Sequence, residues 1–548
     1  MENNIGFPHR ADAYFSTMRS MQYFGNMKKK LPISGKSNTH SINFELVFKI
    51  LFFLTVSYGC VIFWFAPHLP MVDLPQLSGQ VAVLKDLIQG DSPWQDVFQI
   101  NLFTPYLIPY ALWLPLTFFF SIAISGKILL TAGYLFFIWT CIYLRKSFNG
   151  DSRLDWLFVP CYFGICFKWG FITTLLAVPF GLLFVVFAKT YTDAPSVLKG
   201  TLLTVAGYFL FFCHGFVFIF SLAIGFCFLL LRFRLSKRLM LMSAPYLGLV
   251  VLCLIFYAFK SSSLPQVTSQ DFLEWGWYRG RAEEFLVYTL GMKEDRAFLP
   301  IVLLFLAFPF LLGSRLRLQR YDHLIPFGVL LAAWISWPSY GNVLGMDFAF
   351  IYHRFAIYIF PFYILLFKRP EKTVPEQSSF NVIREVAAPL LVVLACWVFF
   401  AVQSARVLQF AEESADFDKV VAKAEPKRLA LYLVFDSSSP ASNNGAAYRH
   451  FPAWYQAEYR GAVEFNFASY LNQVILYRFN ESNQIPEFGS KPFTFKWNEN
   501  NGDRFYYIFI RHKNNLPAHI FADAGCPISK ITESGTWSLY RGCANVKI

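Results

Sequence analysis

The chain has 548 residues, of which 55% are hydrophobic and only 15% are charged, and its mean hydropathy is +0.41. Soluble domains are about one quarter charged, so this composition excludes an ordinary soluble protein and predicts a polytopic membrane protein. Lysine and arginine number 48 against 35 aspartates and glutamates, but they are scattered among hydrophobic runs and form no basic face, which argues against a nucleic-acid partner.

Residues 1–43 are polar and mixed, and we expect them to form a cytoplasmic segment without a cleavable signal peptide. Lys28, Lys29 and Lys30 place this amino terminus in the cytoplasm by the positive-inside rule. The first apolar run, 44–66, has spanning length and is predicted to be the first transmembrane helix.

Apolar runs recur along the chain as far as residue 403, and we predict about eleven transmembrane helices within 44–403. The expected runs are 44–66, 128–144, 157–168, 171–188, 201–213, 215–231, 239–259, 298–312, 324–337, 353–367 and 386–403. Several are short, and these would span only if the surrounding bundle shields their ends or the bilayer thins locally.

The stretch 101–120 contains Pro105, Pro109 and Pro115, which make it a poor straight span. We expect it to lie along or dip into the outer leaflet, within a first outer loop covering 67–127. With that choice the loops expected in the cytoplasm are all rich in lysine and arginine, and the carboxyl terminus lies outside.

The tail from 404 to 548 is more polar and alternates strand-like runs such as "LALYLVF" and "RFYYIFI" with Asn, Gly, Ser and Pro. It is predicted to be a small extracytoplasmic α/β domain. Cys526 and Cys543 lie in its polar sequence and could pair if the segment faces an oxidising compartment. Two segments of the tail, "YRHFPAWYQAEYRG" and "FNFASYLNQ", are rich in aromatic residues. They suggest a binding surface, to which we assign no ligand.

The first outer loop begins with "APHLPMVDLPQLSGQVAVLKDLIQG", in which apolar residues recur every three or four positions and Gly90 suits a helix end. We expect an interfacial helix with its apolar face toward lipid. Asp73 precedes it, and two interpretations stay open. Its side chain caps the helix, or it is a carboxylate at the membrane surface that takes a proton from an acceptor.

This acidic "D-x-P" setting after the first span resembles that of the polytopic C-superfamily (GT-C) glycosyltransferases, such as protein O-mannosyltransferases and lipid A aminoarabinose transferases. Four later segments resemble spans of those enzymes in the same order: "SGKILLTAGYLFFIWTCIYLRKSFNG", "FVPCYFGICFKWGF", "TLLTVAGYFLFFCHGFVFIF" and "YHRFAIYIFPFYILLF". The resemblance implies a GT-C-like fold, a catalytic acid at Asp73 and a sugar donor carried on polyprenyl phosphate.

Two positions depart from the pattern of that superfamily. Gln76 stands where some relatives have His or another polar residue, and His214 replaces a lysine that would hold the donor phosphate. A protonated histidine could serve there. The other interpretation of His214 is a satisfied histidine of the helix bundle.

The remaining candidates are cationic or aromatic groups near expected outer ends of spans. Arg354, beside His353, is a phosphate-binding candidate or an interfacial anchor. Lys168 with Trp169 contacts a lipid phosphate or snorkels to the interface. "EWGWYRGRAEEF" adds Arg279 and Arg281, suited either to a sugar or headgroup or to the membrane interface.

The sequence therefore predicts a glycosyltransferase on the outer face of a bacterial inner membrane, with a lipid-linked sugar donor and a glycan, lipid or protein acceptor. No Gly-rich nucleotide loop, zinc-spaced cluster or G-x-S-x-G turn occurs. We assign no cofactor and leave a divalent metal open. The alternatives are a transporter or flippase of a lipid-linked or anionic substrate, or a non-catalytic scaffold for envelope assembly.

Overall fold

The computed structural model describes residues 44–263, 272–276, 280–317, 321–343, 346–369, 386–478, 492–513 and 516–544. Its α-helices are α1 Phe44–Ile62, α2 Leu74–Gln89, α3 Leu107–Trp113, α4 Ile122–Ser147, α5 Ile165–Trp169, α6 Ile172–Asp193, α7 Val197–Cys213, α8 Gly215–Phe233, α9 Lys237–Met242, α10 Ala244–Ser263, α11 Arg281–Val287, α12 Leu299–Leu311, α13 Ile325–Ser336, α14 Ile359–Tyr363, α15 Ala388–Val421 and α16 Trp454–Tyr459. Its strands are β1 Phe98–Ile100, β2 Phe272–Glu274, β3 Arg315–Leu316, β4 Tyr340–Val343, β5 Met346–Ala349, β6 Phe367–Lys368, β7 Leu429–Val434, β8 Ala462–Val463, β9 Ile475–Tyr477, β10 Tyr507–Arg511, β11 Ser529–Ser534 and β12 Trp537–Arg541.

Within these ranges, five helices are long and apolar enough to cross a membrane, namely α1, α4, α6, α8 and α15. The chain is thus a mostly helical, multi-pass membrane protein. The predicted number of eleven spans is not confirmed. The run expected at 157–168 folds mainly as the 3-10 helix Ser152–Phe163, and the run at 353–367 is divided among the 3-10 helix Tyr352–Tyr358, α14 and the 3-10 helix Ile364–Leu366. Their side chains are almost all buried, so interior packing as well as lipid contact selects apolar sequence.

The proline-rich stretch 101–120 forms no helix of spanning length. It contains α3, of seven residues, and a 3-10 helix at Leu114–Phe118. Proline at position 115 lacks the N–H that would continue α3. The next span, α4, begins earlier than expected, where Ser121 caps it by accepting a hydrogen bond from the N–H of Ile124 at 3.3 Å.

The amphipathic helix of the first outer loop is α2, and the prediction that its apolar face meets lipid is wrong. Every residue from 74 to 84 is buried inside the protein. Gly79 brings α2 so close to α16 that a Cβ there would lie 2.9 Å from Nε2 of Gln456. The predicted end is confirmed, because Gly90 adopts a left-handed φ of 73° that closes the helix.

The carboxyl-terminal part contains a five-stranded sheet in the order β11-β12-β10-β7-β8. The predicted strands "LALYLVF" and "RFYYIFI" supply β7 and β10, which pair in parallel. A disulfide joins Cys526 and Cys543. The expected boundary at 403/404 falls inside α15, which runs without a break through 34 residues.

A second, two-stranded sheet connects the first outer loop to the tail. In it β1 pairs with β9 in antiparallel register, with Phe98 opposite Tyr477. A third small sheet, β2-β4-β5, comes from the segments around α11 and α13. These connections place the ends of several helices beside the loops of the carboxyl-terminal sheet.

Candidate active site

A cavity of about 420 Å³ lies where the start of α2, the α5–α6 turn, the β2-β4-β5 sheet and two loops of the tail meet. Its lining residues are Asp73, Leu77, Tyr106, Trp169, Gly170, Phe171, Thr173, Phe272, Tyr340, Gly341, Phe348, Ala349, Phe350, Arg354, Arg449, His450, Phe465, Phe467, Tyr470, Asn472 and Gln473. A space of this size suits a small organic ligand.

Asp73 occupies the position that precedes α2 but does not cap it, since its side chain makes no capping hydrogen bond. The carboxylate is 14% exposed, and Nε2 of His450 lies 3.9 Å from its Oδ1, too far for a hydrogen bond. Within the described ranges no side chain donates a hydrogen bond to this carboxylate. Of the two interpretations of Asp73, the structure therefore removes the cap and leaves an acid facing the cavity.

The backbone of Asp73 is held from the α5–α6 turn. Its N–H donates to the carbonyl of Trp169 at 2.9 Å. Gly170 follows with a φ of +87°, and a Cβ at that glycine would lie 2.8 Å from the nitrogen of Asp73. Only glycine combines this left-handed backbone with so close an approach.

Burial raises the pKa of Asp73 to about 7, although Arg354 and Arg449 act in the opposite direction. Removing a carboxylate from water disfavours its charged form, and here that penalty exceeds the attraction of the two guanidinium groups. The result is an acid that changes charge near neutral pH, as a general base in an active site requires.

Arg354 lines the cavity, and contacts with Thr174, Ala349 and Phe171 fix the position of its guanidinium. Its guanidinium donates to Oγ1 of Thr174 at 3.0 Å and, at longer distance, to the carbonyl of Ala349. It also lies over the ring of Phe171, 3.7 Å from the centroid. A guanidinium has five N–H donors, so this one retains donors for a ligand while its position is fixed.

His214 does not line the cavity but is connected to Arg354. It is fully buried, and its Nε2 lies 3.0 Å from Oγ1 of Thr174, the atom that also accepts from Arg354. The structure thus places His214 one residue behind the guanidinium, where it supports Thr174 and cannot reach a phosphate in the cavity.

Trp169 lines the cavity, whereas its neighbour Lys168 does not. The Lys168 ammonium is buried, 3.3 Å from Oδ2 of Asp295, and donates to the carbonyl of Ser442 at 2.9 Å. Arg406 approaches the other oxygen of Asp295 at 2.7 Å. Lys168 therefore neither snorkels to the membrane interface nor contacts a phosphate in the cavity, because its ammonium is paired with the buried carboxylate of Asp295.

Three other predicted site residues, Gln76, His353 and Arg281, do not line the cavity. Gln76 is buried and holds the tail through hydrogen bonds with the backbone of Phe465 and Phe467. His353 is buried and stacks on Tyr352 at 3.9 Å. Arg281 is buried and donates to backbone carbonyls such as that of Trp334. Arg279 lies outside the described residues.

The tail contributes cavity residues from the two strings that suggested a binding surface, although none of them was singled out as a site residue. Arg449 and His450 come from "YRHFPAWYQAEYRG", while Phe465, Phe467, Tyr470, Asn472 and Gln473 come from "FNFASYLNQ". The high aromatic content of both strings was the feature of the sequence that indicated a binding surface there. Burial, with a smaller contribution from Arg449, lowers the pKa of His450 to about 3, so its imidazole is neutral beside Asp73.

Asp73 is the one carboxylate among the described side chains that line the cavity. In the described part of the chain, no group of three or more His, Cys, Asp or Glu side chains is arranged to hold a metal ion. The cavity thus combines a single acid, two arginines and an aromatic wall, which is a suitable arrangement for an anionic ligand with a polar, ring-bearing part.

No known protein family matches the sequence, and no curated protein matches it. Among solved structures, one similar to this chain is the arabinofuranosyltransferase AftD from Mycobacteria, with a TM-score of 0.45 and 11% sequence identity. The similarity covers 91% of this chain and 40% of the arabinofuranosyltransferase, so this chain spans less than half of the length of that protein. So distant a likeness does not define a fold or an activity.

Proposed function

We propose that this protein is a membrane glycosyltransferase that moves a sugar from a polyprenyl-phosphate donor to an acceptor hydroxyl or amine in the Asp73 cavity. The observation that carries the proposal is that Asp73, Arg354 and Arg449 line one cavity. The Asp73 carboxylate has no hydrogen-bond donor in the described ranges, and its pKa is near 7. A base and two cations meet the two requirements of the transfer.

In the proposed reaction Asp73 removes the proton from the acceptor as its oxygen or nitrogen attacks the anomeric carbon of the sugar. The bond from that carbon to the phosphate oxygen breaks, and the polyprenyl phosphate leaves with the electron pair. Arg354 and Arg449 neutralise the charge that develops on the leaving phosphate. Guanidinium suits this role because it binds phosphate in a planar, bidentate manner and stays charged.

We assign the acceptor to the side of the cavity formed by the tail. Phe465, Phe467 and Tyr470 offer ring faces against which a sugar or another flat apolar surface can pack. Asn472 and Gln473 add amide groups beside them, although Gln473 already accepts a hydrogen bond from Tyr110 at 3.2 Å. A glycan, lipid or protein acceptor could each present a hydroxyl here.

We place the reaction on the outer face of a bacterial inner membrane, with the amino terminus in the cytoplasm and the carboxyl-terminal sheet outside. The charge distribution of the loops supports this orientation. The disulfide between Cys526 and Cys543 supports it independently, because disulfides persist mainly in oxidising compartments.

The test compares the envelope glycolipids and glycans of a deletion strain with those of strains that carry Asp73→Asn or Asp96→Asn. Asp96 is an exposed aspartate of the same outer loop and serves as the matched control. We expect mass spectrometry to show the same glycoform missing in the deletion and Asp73→Asn strains and present in the control, at equal protein abundance. An intact glycoform in the Asp73→Asn strain would remove Asp73 from the chemistry, and accumulation of an unflipped lipid-linked precursor would favour transport.

A further inference from the structure

A second cavity, of about 450 Å³, shares no lining residue with the Asp73 cavity. Its walls come from the segment after α1, the first turns of α4, the last turns of α15 and the end of α16. The lining residues are Pro67, His68, Ser121, Ala123, Ile124, Lys127, Asp418, Val421, Glu458 and Tyr459. We call it the Lys127 groove.

One wall of the groove holds a buried cation without an ion pair. Lys127 is 9% exposed, and its ammonium donates to the carbonyl of Ala66. No carboxylate of the described chain comes within 4.0 Å of this nitrogen, and Glu458 attracts it electrostatically from a longer distance. An ammonium has three N–H donors, so two are left for a ligand, and a buried cation gains strongly from an anionic partner.

The groove is also lined by two carboxylates. Asp418 and Glu458 are 41% and 31% exposed, and the buried ring of His68 lies between them, with Nδ1 3.6 Å from Asp418 and Nε2 3.2 Å from Glu458. Nδ1 of His68 has no hydrogen-bond partner in the described structure. The groove thus presents an ammonium and two carboxylates to the same ligand.

Lys127 and Asp418 are expected to lie at different depths in a membrane. Lys127 lies on α4, one of the five candidate spans, close to its start. Asp418 lies in the last turn of α15, whose 34 residues extend about 51 Å, well beyond a hydrocarbon core of about 30 Å. Ile124 lines the groove and is exposed, as are the adjacent apolar side chains of Trp64 and Phe120.

We propose that the Lys127 groove binds the headgroup of a phospholipid with a primary amine. The lipid phosphate accepts hydrogen bonds from Lys127, the ammonium donates to Asp418 and Glu458, and the acyl chains lie against Ile124, Trp64 and Phe120. In a lipid at a bilayer surface the phosphate lies nearer the hydrocarbon than the amine does, which matches Lys127 inside a candidate span and Asp418 in the last turn of α15. A quaternary amine has no N–H to donate, so the carboxylates discriminate between headgroups.

The test is native mass spectrometry of the full-length protein with an equimolar mixture of dioctanoyl phosphatidylethanolamine, phosphatidylcholine and phosphatidylglycerol. We expect the wild type to retain phosphatidylethanolamine about tenfold better than phosphatidylcholine, because only the primary amine can donate one or two charge-assisted hydrogen bonds to the carboxylates. Asp418→Asn with Glu458→Gln should abolish this preference, whereas Lys127→Met should weaken the binding of all three lipids.

Glu499→Gln is the control, because Glu499 is a carboxylate of the tail that does not line the groove and is 65% exposed. Equal retention of the ethanolamine and choline lipids by the wild type would overturn the proposal, as would a preference that survives in the carboxylate variant. These carboxylates are partly exposed, so their variants remain informative even if Lys127→Met fails to fold. Free phosphoethanolamine should not displace the lipid at matched concentration, and displacement would assign the groove to a soluble ligand instead.

Discussion

The charge state of Asp73 connects the proposed chemistry to a measurable pH dependence. Its pKa, raised by burial to about 7, leaves the carboxyl group protonated and unable to accept a proton in acidic solution. We expect kcat/KM for transfer to rise with pH through about 7 and then to level off. His450 should not complicate this profile, because its pKa lies near 3 and it stays neutral throughout.

The measurement is initial transfer rate against pH from 5 to 9 with purified protein and a lipid-linked sugar donor. A flat profile over this range would mean that Asp73 titrates at its ordinary value or does not act as the base. The donor phosphate is a diester and does not titrate in this range, so it cannot produce the rise.

Residue identity alone located only part of the site. Asp73, Arg354 and Trp169 were candidates from their positions beside apolar runs, and they lie in one cavity. Lys168, His214 and Arg281 had equally good sequence positions, yet each is satisfied by a buried partner: a carboxylate, a threonine hydroxyl or a set of carbonyls. Such partners come from distant parts of the chain, so no local pattern indicates them.

At the scale of single elements, the α5–α6 turn determines where Asp73 lies. Gly170→Ala should lower the transfer rate at least about tenfold and also lower Tm, because the added Cβ would lie 2.8 Å from the nitrogen of Asp73 at a left-handed φ. The matched control is Gly328→Ala, where a Cβ would meet nothing within 4 Å. The readouts are transfer rate and thermal unfolding of both variants, and equal behaviour of the two would contradict the role given to this turn.

Helix α2 shows why an element can be predicted while its environment is not. Its extent, its start at Asp73 and its end at Gly90 follow from local rules about apolar spacing, proline and glycine. Its burial against the tail depends on Gln76 and Gln80, whose amides bond to residues more than 380 positions away. A lipid-facing and a protein-facing apolar stripe have the same periodicity, so the sequence could not distinguish them.

For the whole molecule, a buried charge network joins the membrane helices to the carboxyl-terminal part. Asp295 is fully buried and contacts Lys168, Arg406 and the side-chain amide of Asn443, which come from α5, α15 and a loop of the tail. Asp295→Ala removes the carboxylate partner of the buried Lys168 and of Arg406, whose side chain is 15% exposed, and should destabilise the protein by about 3 to 5 kcal/mol. Glu283→Ala removes an exposed carboxylate paired with Arg296 and should cost less than about 1 kcal/mol.

Thermal or denaturant unfolding in detergent, followed by the accessibility of buried cysteines such as Cys166 and Cys396, measures this difference. A variant of Asp295 as stable as that of Glu283 would show that the network does not hold the two parts together. Transfer by the Asp295 variant should fall in parallel, because Lys168 adjoins the tryptophan that holds Asp73.

The sequence by itself determined that the protein is a multi-pass membrane protein with a polar carboxyl-terminal α/β part, because composition and the length of apolar runs are local quantities. It also placed an acid at the start of the first outer helix. Only the tertiary structure decided which apolar runs form helices of spanning length, which fold as short interior helices, and which cations line the cavity of the acid. Arg449 and His450 lie nearly 380 residues after Asp73, and their meeting depends on contacts between α2 and the tail that no short stretch of sequence contains.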